Sequence, residues 1–357
     1  MNRTMASRKK IVLGNLEIGG GAPISVQSMA MSPTRDIQKT VSEILELEKI
    51  GCEIIRVSVP DETSAKVLPE ILKKISIPLI ADIHFNPKMA LLSMDAGVQG
   101  IRINPGNIGS FEKVRTILKK AKNKGVAVRL GVNGGSLEKD LLEKYGYPKP
   151  KALVESALRW VSFFEKEKFT NFKISLKSSS ATDTVLGYRL LSQEVDYPLH
   201  LGVTEAGPAF QGTIKTAVAF GALLVDGIGD TIRVSLTAPC TEEVKVGREI
   251  LKSLGLRTFG VDIIACPSCA RAEIDVVQLA NRVEAALGHI KKPLKVAVMG
   301  CAVNGPGEAQ GADIGIAGGK KEGLLYLDGK TARKVKEDEL FQTLIHQVQK
   351  MEKEDRL

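Results

Sequence analysis

Aromatic residues are scarce in this chain, making up 4% of its 357 residues with a single tryptophan. That leaves little material for the stacking platforms that single-stranded nucleic acids require. Long apolar runs are missing too. None approaches the roughly 20 residues of a membrane span, and the N-terminal MNRTMASRKKIVLG holds no signal-type apolar core before Gly14. A cytoplasmic protein without a membrane partner is therefore expected. Cysteines number five, an odd count that suggests no disulfide framework. Cys52, ahead of the run IIRVSV, reads as a small packed hydrophobe. Cys240 has no assignable role.

Acidic residues are in deficit, giving a net charge of +9, which suits either nucleic acid or an anionic small molecule. Much of the lysine is dispersed along helical stretches such as KVRTILKKAKNKG, whereas several arginines recur at the ends of apolar strands. With so few aromatics, a small polyanionic ligand is the expected partner and nucleic acid is not.

What the chain does have is a group of three cysteines near its end. Cys266 and Cys269 form a CPSC loop, and Cys301 follows within MGCAVNGPGEAQGADIGIAGG. Thiolates on two tight, glycine-rich loops can converge on one metal or iron–sulfur centre. A closed structural site takes four strong ligands, while a catalytic one keeps a weak or open position. Glu308, past the bend Asn304-Gly305-Pro306-Gly307, is the candidate for that weaker place.

Upstream, apolar β-branched runs alternate with amphipathic helical stretches. The runs are Pro23–Met29, Ile54–Val59, Pro78–His84, Gly100–Gly106, Val126–Asn133, Phe172–Ser178, Leu199–Glu205 and Thr231–Leu236. IQKTVSEILELEKIG is a clear helical connector, with Gly51 just beyond its end. Eight such units are the count for a closed TIM-type (β/α)8 barrel over residues 1–258. An open doubly wound sheet is the runner-up, but no strand–GxGxxG–helix unit supports it. The composition then changes, and residues 259–357 read as a small α+β domain carrying the clustered cysteines.

The strand ends are unusually polar: Gln27 and Ser28; Arg56 and Ser58; Asp82 and His84; Arg102 and Asn104; Arg129 and Asn133; Lys173, Lys177 and Ser178; Thr204 and Glu205; Arg233 and Ser235. Charges on core strands are costly unless paired or bound to ligand. The cations outnumber Asp82 and Glu205, so a mouth lacking internal partners and shaped for a phosphorylated or diphosphorylated substrate is expected. Backbone N–H groups of NPGNIG and GVNGGS could reach the same anion. His200, at the start of the seventh strand, is expected to face away from the chemistry, and His289 and His346 to be ordinary second-domain residues. The helix after the eighth strand runs back toward the barrel bottom, tethering the cysteine domain at the end opposite the mouth. If both belong to one active site, the cysteines come from a second chain, which a head-to-tail homodimer provides.

These segments together closely resemble the IspG/GcpE family, the 4-hydroxy-3-methylbut-2-enyl diphosphate synthases of the non-mevalonate isoprenoid pathway. The resemblance runs through VQSM, ADIHF, RINPGNIG, RLGVNGGSL, SLKSS, LGVTEAG, GIGDTIRVSL, CPSCAR and MGCAVNGPGEA in order, and suits the short, two-domain bacterial form. It implies a [4Fe–4S] cluster on Cys266, Cys269, Cys301 and Glu308. The implied substrate is 2-C-methyl-D-erythritol 2,4-cyclodiphosphate, opened and reductively dehydroxylated with two electrons from flavodoxin or ferredoxin. By the same carry-over, Arg56, Arg102, Arg129, Asn133, Lys177 and Ser235 hold the diphosphate, with His84, Thr204 and Arg233 as neighbours. Glu205 is the expected proton donor to the departing oxygen. Glu308, one oxygen among sulfurs, is the ligand most easily displaced by a substrate oxygen, and Asp82 is equally an ion-pair partner in the mouth.

The main rival is a phosphate- or pterin-binding transferase of the dihydropteroate-synthase type, with the cysteines holding a structural metal. A zinc module for nucleic acid would need a fourth strong ligand near CPSC or Cys301, and a radical-SAM enzyme would need CxxxCxxC; the sequence has neither.

Overall fold

The computed structural model describes residues 7–353, which form two compact units dividing after Arg257. The first begins with a hairpin that the strand count above did not include. β1 (Lys10–Leu13) and β2 (Leu16–Gly19) pair antiparallel around Gly14-Asn15. Ile11, Leu13 and Ile18 then cluster with Ile54, Ile80 and Ala127 at the starts of barrel strands. Two short apolar runs flanking Gly-Asn are the signal that marks such a turn.

The barrel strands follow: β3 (Ser25–Met29), β4 (Ile54–Ser58), β5 (Leu79–Ile83), β6 (Gly100–Ile103), β7 (Ala127–Asn133), β8 (Phe172–Lys177), β9 (His200–Leu201) and β10 (Thr231–Ile232). They lie in the order β8-β7-β6-β5-β4-β3-β10-β9, every pairing parallel. β8 and β9 meet through isolated parallel bridges, Ile174–Leu199 and Ser178–Val203, which leave the ring nearly closed. The expected TIM-type barrel is therefore what the chain builds, each strand lying inside one of the eight runs.

Parallel strands covered by helices must be apolar on both faces, and all of β5, LIADI, is buried. The helix Ile37–Lys49 shows how its partners are punctuated. The Asp36 side chain accepts the Lys39 N–H at 3.2 Å, and Thr40, Val41, Ile44 and Leu47 form the buried stripe. Each fully buried leucine or isoleucine here contributes about 1.5–3 kcal/mol over an exposed position. Gly51, at φ +95°, lies just beyond the helix. A Cβ there would fall 1.6 Å from Arg248 Nη1, so the position demands glycine for room as well as for backbone angle.

At the far end of this unit, Arg257 Nη1 donates to the Ile24 carbonyl at 2.7 Å and Nη2 pairs with Glu53 at 3.1 Å. Both partners precede barrel strands. The chain thus leaves the barrel at the N-terminal ends of its strands, opposite the mouth.

The second unit is a five-stranded sheet of β11 (Val261–Ala265), β12 (Leu294–Met299), β13 (Ile314–Gly319), β14 (Glu322–Leu327) and β15 (Lys330–Lys336), in that order. The first three are parallel and the last two pairings antiparallel. Val296, Val298 and Ile316 pack with Val283 and Leu344 of the helices Val276–Leu287 and Leu340–Lys353. The alternating residues Ala297, Met299 and Ala317 pack with Ala309 of the short helix Gly305–Gln310. One detail departs from the sequence reading: the Asn304–Gly307 bend is continued as a helical turn with Pro306 in its first positions. A Cβ at Gly305 would lie 2.8 Å from the Ala317 Cβ, so glycine lets that turn lie flat on the sheet. Among the described residues no helix is long and apolar enough to cross a membrane.

Candidate functional site: a cationic barrel mouth and a thiol-bearing sheet end

Parallel register sets Asp82, Arg102, Arg129 and Lys173 side by side across β5 to β8. All four are at most 3% exposed, as is Arg56 on β4. Asp82 takes Arg102 Nη1 at 3.2 Å and Arg56 Nε at 3.5 Å, with His84 Nε2 at 3.8 Å. The expectation of a mouth without internal partners is corrected here. Glu243, from the helix Cys240–Ser253, also faces inward, pairing with Arg233 Nη2 at 3.4 Å and accepting the Leu236 N–H at 3.0 Å. Sequence reasoning overlooked Glu243, although an acidic pair in a helix first turn was visible in TEEV.

The balance remains cationic. Among the described residues, buried Arg129 Nε and Nη2, Arg102 Nε and Arg233 Nε have no hydrogen-bond partner. Burial lowers Arg56 to about 9; Asp82 resists that shift, while Arg233 and Arg102 add to it. Lys177 falls to about 6 through burial and the fields of Arg102, Arg129 and Arg56. Arg129 and Lys173 are pushed well down, by burial first. Burial also disfavours the charged form of Asp82, but Arg56, Arg102 and Arg129 outweigh it and hold the carboxyl well below its usual range. Desolvated cations with unused donors are stabilised by an incoming anion.

Arg56, Arg129, Lys177, Thr204, Arg233 and Ser235 line one pocket at this end of the barrel. Arg102 stands beside Arg129 in register and donates through Nη2 to Asn133 Oδ1 at 3.3 Å. His84 joins the group through Asp82. Glu205 is exposed, with φ +54° and no partner among the described residues, and it lies one residue beyond the lining. Such a backbone angle on a non-glycine residue is a strained conformation that clusters at functional sites. His200 also lines the pocket, correcting the expectation that it faces away. Side chains alternate along a strand, and the ring of His200 meets Thr231 Oγ1 across the β9–β10 register at 2.8 Å.

In the second unit, register pairs Ala265 with Val298, so the loops leaving β11 and β12 emerge together. Gly300 N–H donates to Cys266 Sγ at 3.2 Å, and a Cβ at Gly300 would lie 3.5 Å from that sulfur and 3.3 Å from the Ala272 Cβ. The Cys269 thiol is lowered chiefly by the Arg271 backbone N–H, against the opposing effect of desolvation. Cys301 is half-buried, and Glu308 is exposed on the helix joining β12 to β13. Among the described residues no three metal-ligating side chains converge. The donor set still fits a thiolate centre with one oxygen ligand: backbone N–H groups turn toward two of its thiols, and glycine lets the loops close around Cys266. His289 and His346 are exposed. Cys52 is buried as expected, and Cys240, also buried, places Sγ 3.1 Å from Glu43 Oε1.

A barrel with a cationic, incompletely satisfied mouth, followed by a separate thiol-bearing sheet unit, defines a two-unit barrel protein of the TIM type. The GcpE TIM-barrel domain matches residues 8–248, and the GcpE protein C-terminal domain matches residues 262–350. The chain belongs to the GcpE family. Full-length relatives carry the name 4-hydroxy-3-methylbut-2-en-1-yl diphosphate synthase (flavodoxin). The one from Caldanaerobacter subterraneus is 54% identical, covering 97% of this chain and 98% of its own. That of Lawsonia intracellularis is 53% identical over 96% of each. That of Sulfurihydrogenibium is 51% identical, covering 98% of this chain and 100% of its own. Among solved structures, a 3-dehydroquinate dehydratase from Geobacillus kaustophilus superposes with TM-score 0.51 at 15% identity, over 71% of this chain and 98% of its own. At that identity the likeness is one of fold alone.

The depressed Lys177 gives a proton signature for anion binding. Between pH 6 and its ordinary value of 10.5, the free folded protein holds fewer protons here than the unfolded chain, so this group favours folding as pH rises through that window. A bound anion reverses the preference by stabilising the ammonium. Pyrophosphate binding at pH 8 is therefore expected to take up close to one proton more in the wild-type protein than in Lys177→Met, read by calorimetry in buffers of different ionisation enthalpy, with the ligand's own proton common to both. Equal proton uptake by the two proteins contradicts the assignment.

Proposed function

We propose that this chain catalyses the reductive ring opening of 2-C-methyl-D-erythritol 2,4-cyclodiphosphate to 4-hydroxy-3-methylbut-2-enyl diphosphate in non-mevalonate isoprenoid synthesis, with flavodoxin as electron donor. Family membership across both units supports this reading. The observation that carries the substrate class is Arg129, buried with two nitrogens that lack an acceptor. The division of labour follows the expected domains, residues 1–258 for substrate and 259–357 for the redox centre.

Arg56, Arg102, Arg129, Asn133, Lys177 and Ser235 hold the diphosphate, with His84, Thr204 and Arg233 at its edge. Asp82 holds Arg56 and Arg102 in place, and Glu243 does the same for Arg233. Two electrons and two protons convert the cyclic substrate into the linear diphosphate and water, and Glu205 supplies a proton to the departing oxygen. When bound, a [4Fe–4S] cluster on Cys266, Cys269, Cys301 and Glu308 supplies low-potential electrons one at a time and a Lewis-acidic iron. Glu308 is the weak donor of the set. The free thiols suit a reducing cytoplasm. A transferase reading has only a shared barrel fold behind it: Yersinia pestis DHPS superposes with TM-score 0.50 at 12% identity, over 69% of this chain and 100% of its own.

Two features support a head-to-tail homodimer in which the cysteine unit of one copy serves the mouth of the other. The chain leaves the barrel opposite the mouth through Arg257. The helix Ala209–Val225 also exposes Phe210, Ile214, Val218 and Val225, an apolar stripe suited to a second copy.

The first test is EPR of the anaerobically purified, dithionite-reduced protein with and without the cyclic diphosphate. A [4Fe–4S] signal that changes with substrate is expected; bound zinc without iron would favour the transferase. Glu308→Cys should retain iron and sulfide while turnover drops by at least roughly 100-fold, the upper range for changes around a metal site. Unimpaired turnover would sink the weak-ligand role. Mixing a chain lacking the three clustered cysteines with an Arg129→Ala chain should recover activity through mixed dimers. No recovery in demonstrated heterodimers counts against the shared site.

A further inference from the structure

The floor of the barrel pocket contains a polar chain that the roles above leave unused. Lys173 Nζ donates to Thr231 Oγ1 at 3.2 Å, and the same oxygen is 2.8 Å from His200 Nδ1. All three residues are buried, and His200 also lines the pocket beside Arg56, Arg129 and Lys177. Because β8, β9 and β10 contribute one member each, the chain spans the place where the barrel ring closes.

Lys173 donates to Thr231 Oγ1, which keeps one hydroxyl hydrogen to give and a second acceptor site. The Thr231–His200 hydrogen bond can therefore run either way, and the surroundings of the ring select its direction. With the hydroxyl hydrogen given to Nδ1, the imidazole hydrogen sits on Nε2. A neutral ring is favoured because burial, then Arg129, Lys173, Arg56 and Arg233, push His200 well below its ordinary pKa. An unprotonated Nε2 in a pocket walled by the guanidinium groups of Arg56, Arg129 and Arg233 would find a donor. Among the described residues, the only hydrogen bond of the ring is the one to Thr231.

We propose that His200 is a ligand-binding residue, a neutral Nε2–H donor at the pocket floor for a phosphoryl oxygen of the bound diphosphate. Thr231 and Lys173 are positioning residues that fix its tautomer. The inference rests on the reading of the mouth as a diphosphate site. It adds a distinct kind of recognition: a neutral donor gives a hydrogen bond without adding another positive charge to a cluster already short of counter-charge.

The two ring nitrogens can be separated by substitution. Glutamine places its amide near the Nε2 position and asparagine near Nδ1. Calorimetric titration of the full-length, anaerobically purified protein with inorganic pyrophosphate is expected to leave His200→Gln within about threefold of wild type and to weaken His200→Asn by roughly tenfold or more. Equal losses, or better binding by asparagine, overturn the proposal and leave His200 a strut for Thr231. Failure of the wild-type protein to bind pyrophosphate strikes the diphosphate reading itself, a different outcome from a wild type that binds with the variants ranked wrongly. Should either variant fail to fold, the wild-type protein still decides. It has only four histidines, so long-range nitrogen–proton NMR can assign the His200 tautomer. Hydrogen on Nε2 between pH 6 and 8 supports the chain as drawn, and hydrogen on Nδ1 refutes it.

Discussion

The barrel mouth is organised around one buried carboxylate among cations that it does not balance. Asp82 holds Arg56 and Arg102, and its own charge is kept by the arginines around it. Removing a single partner from such a cluster leaves an uncompensated charge in low dielectric, so the group is rigid by necessity. Glu243 does the same for Arg233 from the neighbouring helix. Neither carboxylate reaches Arg129 Nε or Nη2. The free protein therefore holds its donors oriented yet incompletely satisfied, and orientation set before binding is what preorganised anion recognition requires.

Much of this was legible in the chain because a strand has a period of two and a barrel has eight of them. Runs such as IIRVSV and GIRINPG show a charged residue inside an apolar stretch, which is tolerable only where the charge is paired or bound to a ligand. What could not be read was register. Asp82, Arg102, Arg129 and Lys173 are neighbours because four parallel strands align, and no local pattern encodes that alignment. His200 was misread for the same reason: its two-residue strand is too short to show alternation, and its orientation becomes clear only once Thr231 lies across from it. Glu243 belongs to a helix that reads as an ordinary barrel wall until its first turn is placed over the mouth. Glu205 was legible as a strand-end carboxylate, but not as one held at positive φ.

The cysteine end of the second unit depends on small residues instead of charge. Gly305 lets the β12–β13 connection lie against Ala317 and Met299, and Gly300 brings backbone against the Cys266 sulfur. The consequence is two loops held to one sheet end by tight packing on glycine and alanine. Spacing alone singled out the candidate donors; the approach of the loops needed the parallel pairing of β11 with β12.

The β1–β2 hairpin gives the barrel a different property. Its apolar side chains sit against the starts of the strands, below Arg129 and Lys173, and shut the lower end. The barrel is thus closed at that end, and the mouth is left as the open end of its pocket. A ligand that enters by the mouth leaves by it as well, so anything that covers that opening governs entry and exit together.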